Sequence, residues 1–255
     1  MITEPAISVA DTLAFPFRSP RWGSKLLIAA LLSIAGLFTF FITSLFLNGY
    51  FVRLMRQVIQ EGDQPRLPEW DDWGKLFVDG LKITVAGLIF SLPIFIVFGI
   101  GYASYFVPLM LGTASRSEET MLTLMMLGMG SGWCLFGIGM LLTLLWAFLI
   151  PPALAQLVKE DSFAGAFHFR SWWAVLRSGF WGFVASVVVL FGMLGFFSLI
   201  YNVLIFTFLL CWLAPFLLLV MSVYAGLVYF AMIGQAYRSG SQNLAKPAML
   251  VAAEA

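Results

Sequence analysis

Charge is what this sequence has least of. Asp, Glu, Lys and Arg make up 11% of its 255 residues, against roughly a quarter in soluble domains. The two signs nearly cancel, leaving a net charge of +1, so the sequence offers no basic surface of the kind that binds nucleic acid. Histidine occurs once, at His168, and cysteine twice, at Cys134 and Cys211. The cysteines lie far apart in apolar runs without metal-ligand spacing, and both are expected to be small buried hydrophobes. With Glu4 and Asp11 and no basic start, the first 20 residues lack the pattern of a cleavable signal peptide. Neither end carries a lipidation motif.

The scarcity of charge is also local. Five stretches, near 26–50, 83–107, 121–150, 180–203 and 208–235, contain no Asp, Glu, Lys or Arg at all. Each is longer than the roughly 20 residues that cross a hydrocarbon core about 30 Å thick. Hydrophobic residues reach 61%, with 26 Phe and 9 Trp, more apolar material than a soluble core uses. These features predict an all-α fold, a polytopic transmembrane helical bundle of four or five spans in a single membrane domain over residues 1–255. Residues 1–25 are expected to lie at the interface, with a short helix from Ala6 to Phe15 and a turn from Pro16 to Trp22. Pro93 should kink the second segment, and Pro151-Pro152 should bend or end the third. The last two segments should part between Asn202 and Pro215, since Pro suits a first helical turn. Residues 236–255 read as a C-terminal tail.

Charge gathers in two connections, residues 53–82 and 153–179. If all five segments cross, these connections and the C-terminus hold ten Lys/Arg on one side, against four on the other. If segment 26–50 instead dips in and returns, with Gly36 as its break, the balance becomes thirteen to one. A full crossing is the leading expectation. Either way, basic residues mark the cytoplasmic side, which places the C-terminus in the cytoplasm of a prokaryotic cell.

The two connections share a plan. Each begins as the tail of a helix and turns at acidic positions, Glu61-Gly62-Asp63 and Glu160-Asp161. Each then continues with helical spacing, Trp73, Leu76, Phe77 and Gly80 in the first and Trp172, Val175, Leu176 and Gly179 in the second. This pattern predicts two interfacial amphipathic helices, each with Trp at the headgroup level and Gly permitting the bend into the bilayer. A parallel internal repeat and a coincidence of two similar helices are both open.

Little here suggests catalysis. An intramembrane charge would be a functional hypothesis by default, and the segments have none. Their polar residues, among them Ser44, Asn48, Ser131, Thr143, Ser186 and Asn202, are expected to bond within or between helices. Gly128 and Gly132 form a small-xxx-small step, read as packing inside the bundle, with a homodimer face as the alternative. His168 has no second ligand candidate nearby and reads as a surface residue. No enzyme activity and no cofactor are expected.

The most informative stretch is Leu67-Pro68-Glu69-Trp70-Asp71-Asp72-Trp73-Gly74. Asp71 and Asp72 suit a helix start, where the dipole favours negative charge. Trp70 and Trp73 share a face, and Arg53 and Arg56 lie within reach of the carboxylates. With Lys75, Lys82, Trp172 and Arg177 these residues form a candidate surface for lipid headgroups or a partner protein.

These residues also carry a resemblance. Gly49-Tyr50, Arg53 and Arg56, the Leu67–Gly74 stretch, Leu76-Phe77, Asp79-Gly80-Leu81-Lys82 and Leu92-Pro93 are similar to the bacterial and archaeal membrane proteins grouped as domain of unknown function 4013. Ala14-Phe15-Pro16-Phe17, Trp22, Pro152, Phe163, Ala166-Phe167 and Gly234-Gln235-Ala236-Tyr237 fit as well. The resemblance implies a multi-span membrane protein and brings no activity or functional residues with it. The expected role is a non-enzymatic protein of the cytoplasmic membrane that organises lipid or a partner protein, with a homodimer possible. A transporter of lipid or small amphiphiles and an accessory subunit of a larger membrane complex are the alternatives.

Overall fold

The computed structural model describes residues 9–39, 41–62, 65–115, 117–207 and 212–253, with side chains through Ala245. Glu4, Ile7, Asp63, Arg116 and Cys211 lie outside the described residues. The elements are helices: α1 Val9–Arg18, α2 Trp22–Phe38, α3 Ile42–Glu61, α4 Trp73–Ala114, α5 Glu118–Glu160, α6 Phe169–Ser178, α7 Phe180–Phe206 and α8 Ala214–Ala253, with a 3-10 turn at Phe163–Phe167. Among the described residues, four helices, α4, α5, α7 and α8, are long and apolar enough to cross a membrane. Helices α1 and α2 meet at 93°, and counting them as one broken span makes five. The chain is a multi-pass membrane protein of the expected all-helical class. The short first helix, described from Val9, runs to Arg18, three residues past the end its sequence pattern gave it, and the turn after it falls at Ser19–Arg21; the expected start at Ala6 lies outside the described residues.

Residue contacts divide the chain into two compact units. The first comprises the described residues through Ala86 and those from Pro151 onward. At its centre is α8, which packs against α1, α2, α3, α6 and α7. Tyr50, Leu54 and Val58 of α3 meet Leu227 and Ala231 of α8 in a core that also takes in Ala29, Leu67 and Leu76. The end of α5 is buried too, at Ala153, Ala155, Leu157 and Val158. That burial accounts for Pro151-Pro152, which lie inside α5 without ending it.

Segment 26–50 is not one helix. Phe41 takes a left-handed conformation, φ 65°, and the chain reverses between α2 and α3. Thr43 Oγ1 donates to Leu32 O at 3.0 Å, and Phe41 N donates to Gly36 O at 3.0 Å. Gly36 is involved as expected, but in a different way. The break falls three residues beyond it, and a Cβ at Gly36 would lie 3.5 Å from Thr43 Oγ1, an ordinary contact that does not require glycine. The leading expectation of one continuous crossing helix is therefore replaced by an antiparallel hairpin.

The second unit, residues 87–150, is an antiparallel pair formed by the later part of α4 and the earlier part of α5. Trp146 Nε1 donates to Phe90 O at 2.6 Å. Gly128 and Gly132 face Tyr105 at distances that leave no room for larger side chains, which makes the small-residue step a packing feature within this pair. Met126, Trp133 and Leu141 are each about two-thirds exposed or more, so lipid must take the place of water around them. Cys134 is exposed rather than buried, because it lies on the outer face of this two-helix unit.

Candidate functional site

The Leu67–Asp72 stretch is irregular chain between α3 and α4, kept out of helical conformation by Pro65 and Pro68 and leading into Trp73 at the start of α4. Such a segment has no ladder of its own, so its backbone groups need side-chain partners. Ser19 Oγ accepts from Leu67 N at 3.0 Å. Lys25, almost fully buried, donates to Leu67 O at 2.8 Å and pairs with Glu69 at 2.7 Å. Tyr50 donates to Pro68 O at 2.9 Å, and Trp70 Nε1 donates to Lys25 O at 3.1 Å. The Tyr50 and Trp70 rings stack with centroids 4.0 Å apart, and Trp73 continues the stack 5.6 Å further on. Burial, and then the Glu69 carboxylate, push the Tyr50 phenol above its ordinary range, so it stays a hydrogen-bond donor. Arg53 pairs with Asp71. Asp72 accepts from Lys75 N at 3.2 Å at the start of α4. The stretch is a clasp that ties the α2–α3 hairpin to α4.

Beside it lies a second cluster. Arg56 pairs with Asp79 at 2.7 Å and with Asp161 at 3.0 Å. Lys82 approaches Asp161 at 3.7 Å and donates to its carbonyl at 3.2 Å. Asp79 is 3% exposed, and a carboxylate so buried requires its cation. These pairs join α3, α4 and the turn after α5. Nearby, Tyr237 of α8 donates to Gln156, and Gln156 donates to Glu160. Glu160 in turn meets His168 Nδ1 at 3.0 Å. The expected exposure of His168 holds, with the addition of this carboxylate partner.

The two connections do echo each other, but only in part. Both helix tails end on a Glu followed by a left-handed residue, Gly62 with φ 68° and Asp161 with φ 48°. The glycines differ in role. Helix α4 runs from Trp73 through Gly80 without a break, so no separate interfacial helix bends there. Gly80 is instead where the backbone of α3 comes close: a Cβ would collide with Leu45 O, and one on Gly49 would collide with Leu76 O. Only the second connection has a distinct short helix, α6, which ends at Gly179 before α7 begins. Gly179 approaches α8, where a Cβ would lie 2.9 Å from Ala236 O and 3.1 Å from Gly240 Cα.

The candidate residues thus separate into groups. Arg53, Arg56, Asp71 and Lys82 have internal ion-pair partners, and Trp70 stacks within the clasp. Trp73 joins that stack while remaining partly exposed, and Asp72 caps α4. Lys75 is exposed on the first turn of α4. Trp172 is buried against the core, whereas Arg177 is exposed, with its guanidinium over the Trp173 ring at 5.4 Å. Around it the outer face of α6 and the start of α7 expose Phe169, Trp173, Phe180 and Trp181. Lys25, Asp79, Gln156 and Tyr237 belong to the site; the sequence marked Asp79 and Tyr237 only as carriers of the family resemblance, and Lys25 and Gln156 not at all. Their partners lie 23 to 81 residues away for Asp79 and Tyr237, and no local spacing marks such pairs. Among the described residues, no group of three or more His, Cys, Asp or Glu side chains is arranged to hold a metal.

A family model described as "Protein of unknown function (DUF4013)" matches residues 31–206. No curated protein and no solved structure matches the chain.

Proposed function

The chain belongs to the family of proteins of unknown function DUF4013, and from that premise we propose that it is a non-enzymatic protein of a prokaryotic cytoplasmic membrane that organises anionic lipid at its cytoplasmic face. One contrast carries this reading. The clasp of the first connection uses Arg53, Arg56 and Lys82 internally, while α6 turns Phe169, Arg170, Trp173 and Arg177 outward. Aromatic rings beside arginines suit the headgroup layer, where the rings sit at the interface and the cations meet phosphate. The polar residues of the spans favour this role over transport along a polar path. Ser131, Thr143, Ser186 and Asn202 bond to carbonyls of their own helices, which leaves them little capacity to line a route for substrate.

Native mass spectrometry of the full chain released from intact membranes tests the reading. The wild type should carry anionic phospholipid. Trp173→Ala combined with Arg170→Glu should reduce those adducts several-fold, and Arg66→Glu, on the exposed loop before the clasp, should not. Release of the wild type without lipid but with a protein at fixed stoichiometry would replace this reading with that of an accessory subunit.

A further inference from the structure

Where α6, α7 and α8 meet, a groove of about 590 Å³ opens beside the Gly179 junction. That volume falls within the roughly 300–1,000 Å³ range of small-ligand sites. Its walls include Arg177, Phe180, Trp181, Ser239 and Asn243. Among the described residues, Arg177 is the only charged one lining it, and no carboxylate pairs with Arg177. The Trp173 ring lies against the guanidinium, which orients the planar donor fork while leaving its N–H groups free for an oxyanion. Asn243 is held only by a 3.5 Å contact to Ser178 O, so its amide can turn to a ligand. The Ser239 hydroxyl bonds to no protein group among the described residues.

The chemistry of the walls identifies the source of the anion. Both flanking elements change from polar to apolar at this level. The chain passes from Arg177 and Ser178 to Phe180 and Trp181 and on into the uncharged α7. Helix α8 passes the other way, from an apolar run into Arg238–Asn243. Trp181 is 79% exposed, which suits a ring lying among lipid chains and headgroups and not one facing water.

We infer that this groove binds the phosphate-bearing headgroup of an anionic phospholipid, with Arg177, Ser239 and Asn243 as donors and Phe180 and Trp181 against the upper acyl chain. The inference rests on the lipid-organising reading and gives it a specific site.

The test uses the full chain in nanodiscs of phosphatidylcholine with a minor fraction of phosphatidylglycerol, read by native mass spectrometry as lipid retained on ejection. Arg177→Gln removes the charge, and Ser239→Asp places a carboxylate in the groove while keeping the arginine. Each should lower phosphatidylglycerol retention roughly tenfold, the scale of one charge-assisted hydrogen bond, with Arg66→Gln unchanged. Unfolding temperatures within a few degrees of wild type would confirm that the variants fold. Arg177→Lys should recover part of the retention. Displacement of the lipid by millimolar glycerol phosphate alone would overturn the assignment to a lipid. Wild-type retention that both groove variants keep, while the Arg170 and Trp173 variant loses it, would overturn the groove and leave the broader reading standing. No retention by the wild type would overturn both.

Discussion

Arg56 and Asp79 show how much of this molecule depends on a few charges. Asp79 is buried, its carboxylate 2.7 Å from Arg56, and Arg56 also reaches the turn after α5 through Asp161. Removing one member of such a pair leaves a charge without a partner, at a cost of about 3–5 kcal/mol, while replacing both by apolar residues is often far less damaging. Arg56→Met should therefore lower the unfolding temperature of the purified chain sharply, and Arg56→Met with Asp79→Leu should restore much of the loss. A double-mutant cycle by thermal unfolding measures the coupling; additive losses would show that the pair contributes nothing jointly. At this scale the sequence is readable over short distances. Arg53 and Asp71 flank one connection, so their pairing follows from position. Lys25 beneath Leu67 does not, because nothing near either residue signals that α2 turns back beside α3.

Helices in this chain are joined closely where side chains are absent. Gly80 and Gly49 allow α3 and α4 to cross with backbone nearly against backbone, and Gly179 and Gly240 do the same for the α6–α7 junction and α8. A methyl group at Gly80 would meet Leu45 O, which is main chain and cannot swing aside. Gly80→Ala should destabilise the protein by about 1–3 kcal/mol, the usual cost of overpacking. Gly87→Ala is the comparison: nothing lies within 4 Å of its added Cβ, so the change should be neutral or stabilising by up to about 1 kcal/mol from helix propensity. Thermal unfolding in detergent separates them, and equal shifts would contradict the crossing. The same residues show what periodicity leaves out. A glycine seven residues after a tryptophan was read as a bend in both connections. It marks a helix boundary at Gly179 but a contact point at Gly80, since the pattern along one helix is silent about which neighbour approaches it. The long apolar helices were legible because length and lack of charge alone identify them. The reversal after Thr39 was read only as the alternative to a full crossing, from charge balance and with Gly36 as its break, because Thr39, Thr43 and Ser44 are polar residues of a kind that spanning helices also contain.

For the whole molecule, that reversal supports one proposed orientation. With α2 and α3 folded as a hairpin, the N-terminal arginines and Lys25 come to the same side as the two charged connections. The clasp itself requires this, since Lys25 touches Leu67 and Glu69. If the hairpin returns to the side it entered, the order of segments in the sequence assigns thirteen of the fourteen Lys and Arg residues to one side, the balance we propose for this chain. Under the positive-inside rule, an asymmetry that large supports our proposal that the charged connections face the cytoplasm. A hairpin that dips into the bilayer is tolerated because protein covers its backbone, and here α2 and α3 both pack on α8. Single cysteines introduced at Ser24, Lys75 and Gln242, in a chain whose Cys134 and Cys211 are replaced by Ala, should all resist a membrane-impermeant maleimide added to intact cells. All three should react once the membrane is opened. A cysteine at Ser117, between α4 and α5, should react in intact cells. Labelling of Ser24→Cys from outside while Lys75→Cys stays protected would mean that the α2–α3 segment crosses after all. The clasp between Lys25 and Leu67 could not then exist in the membrane.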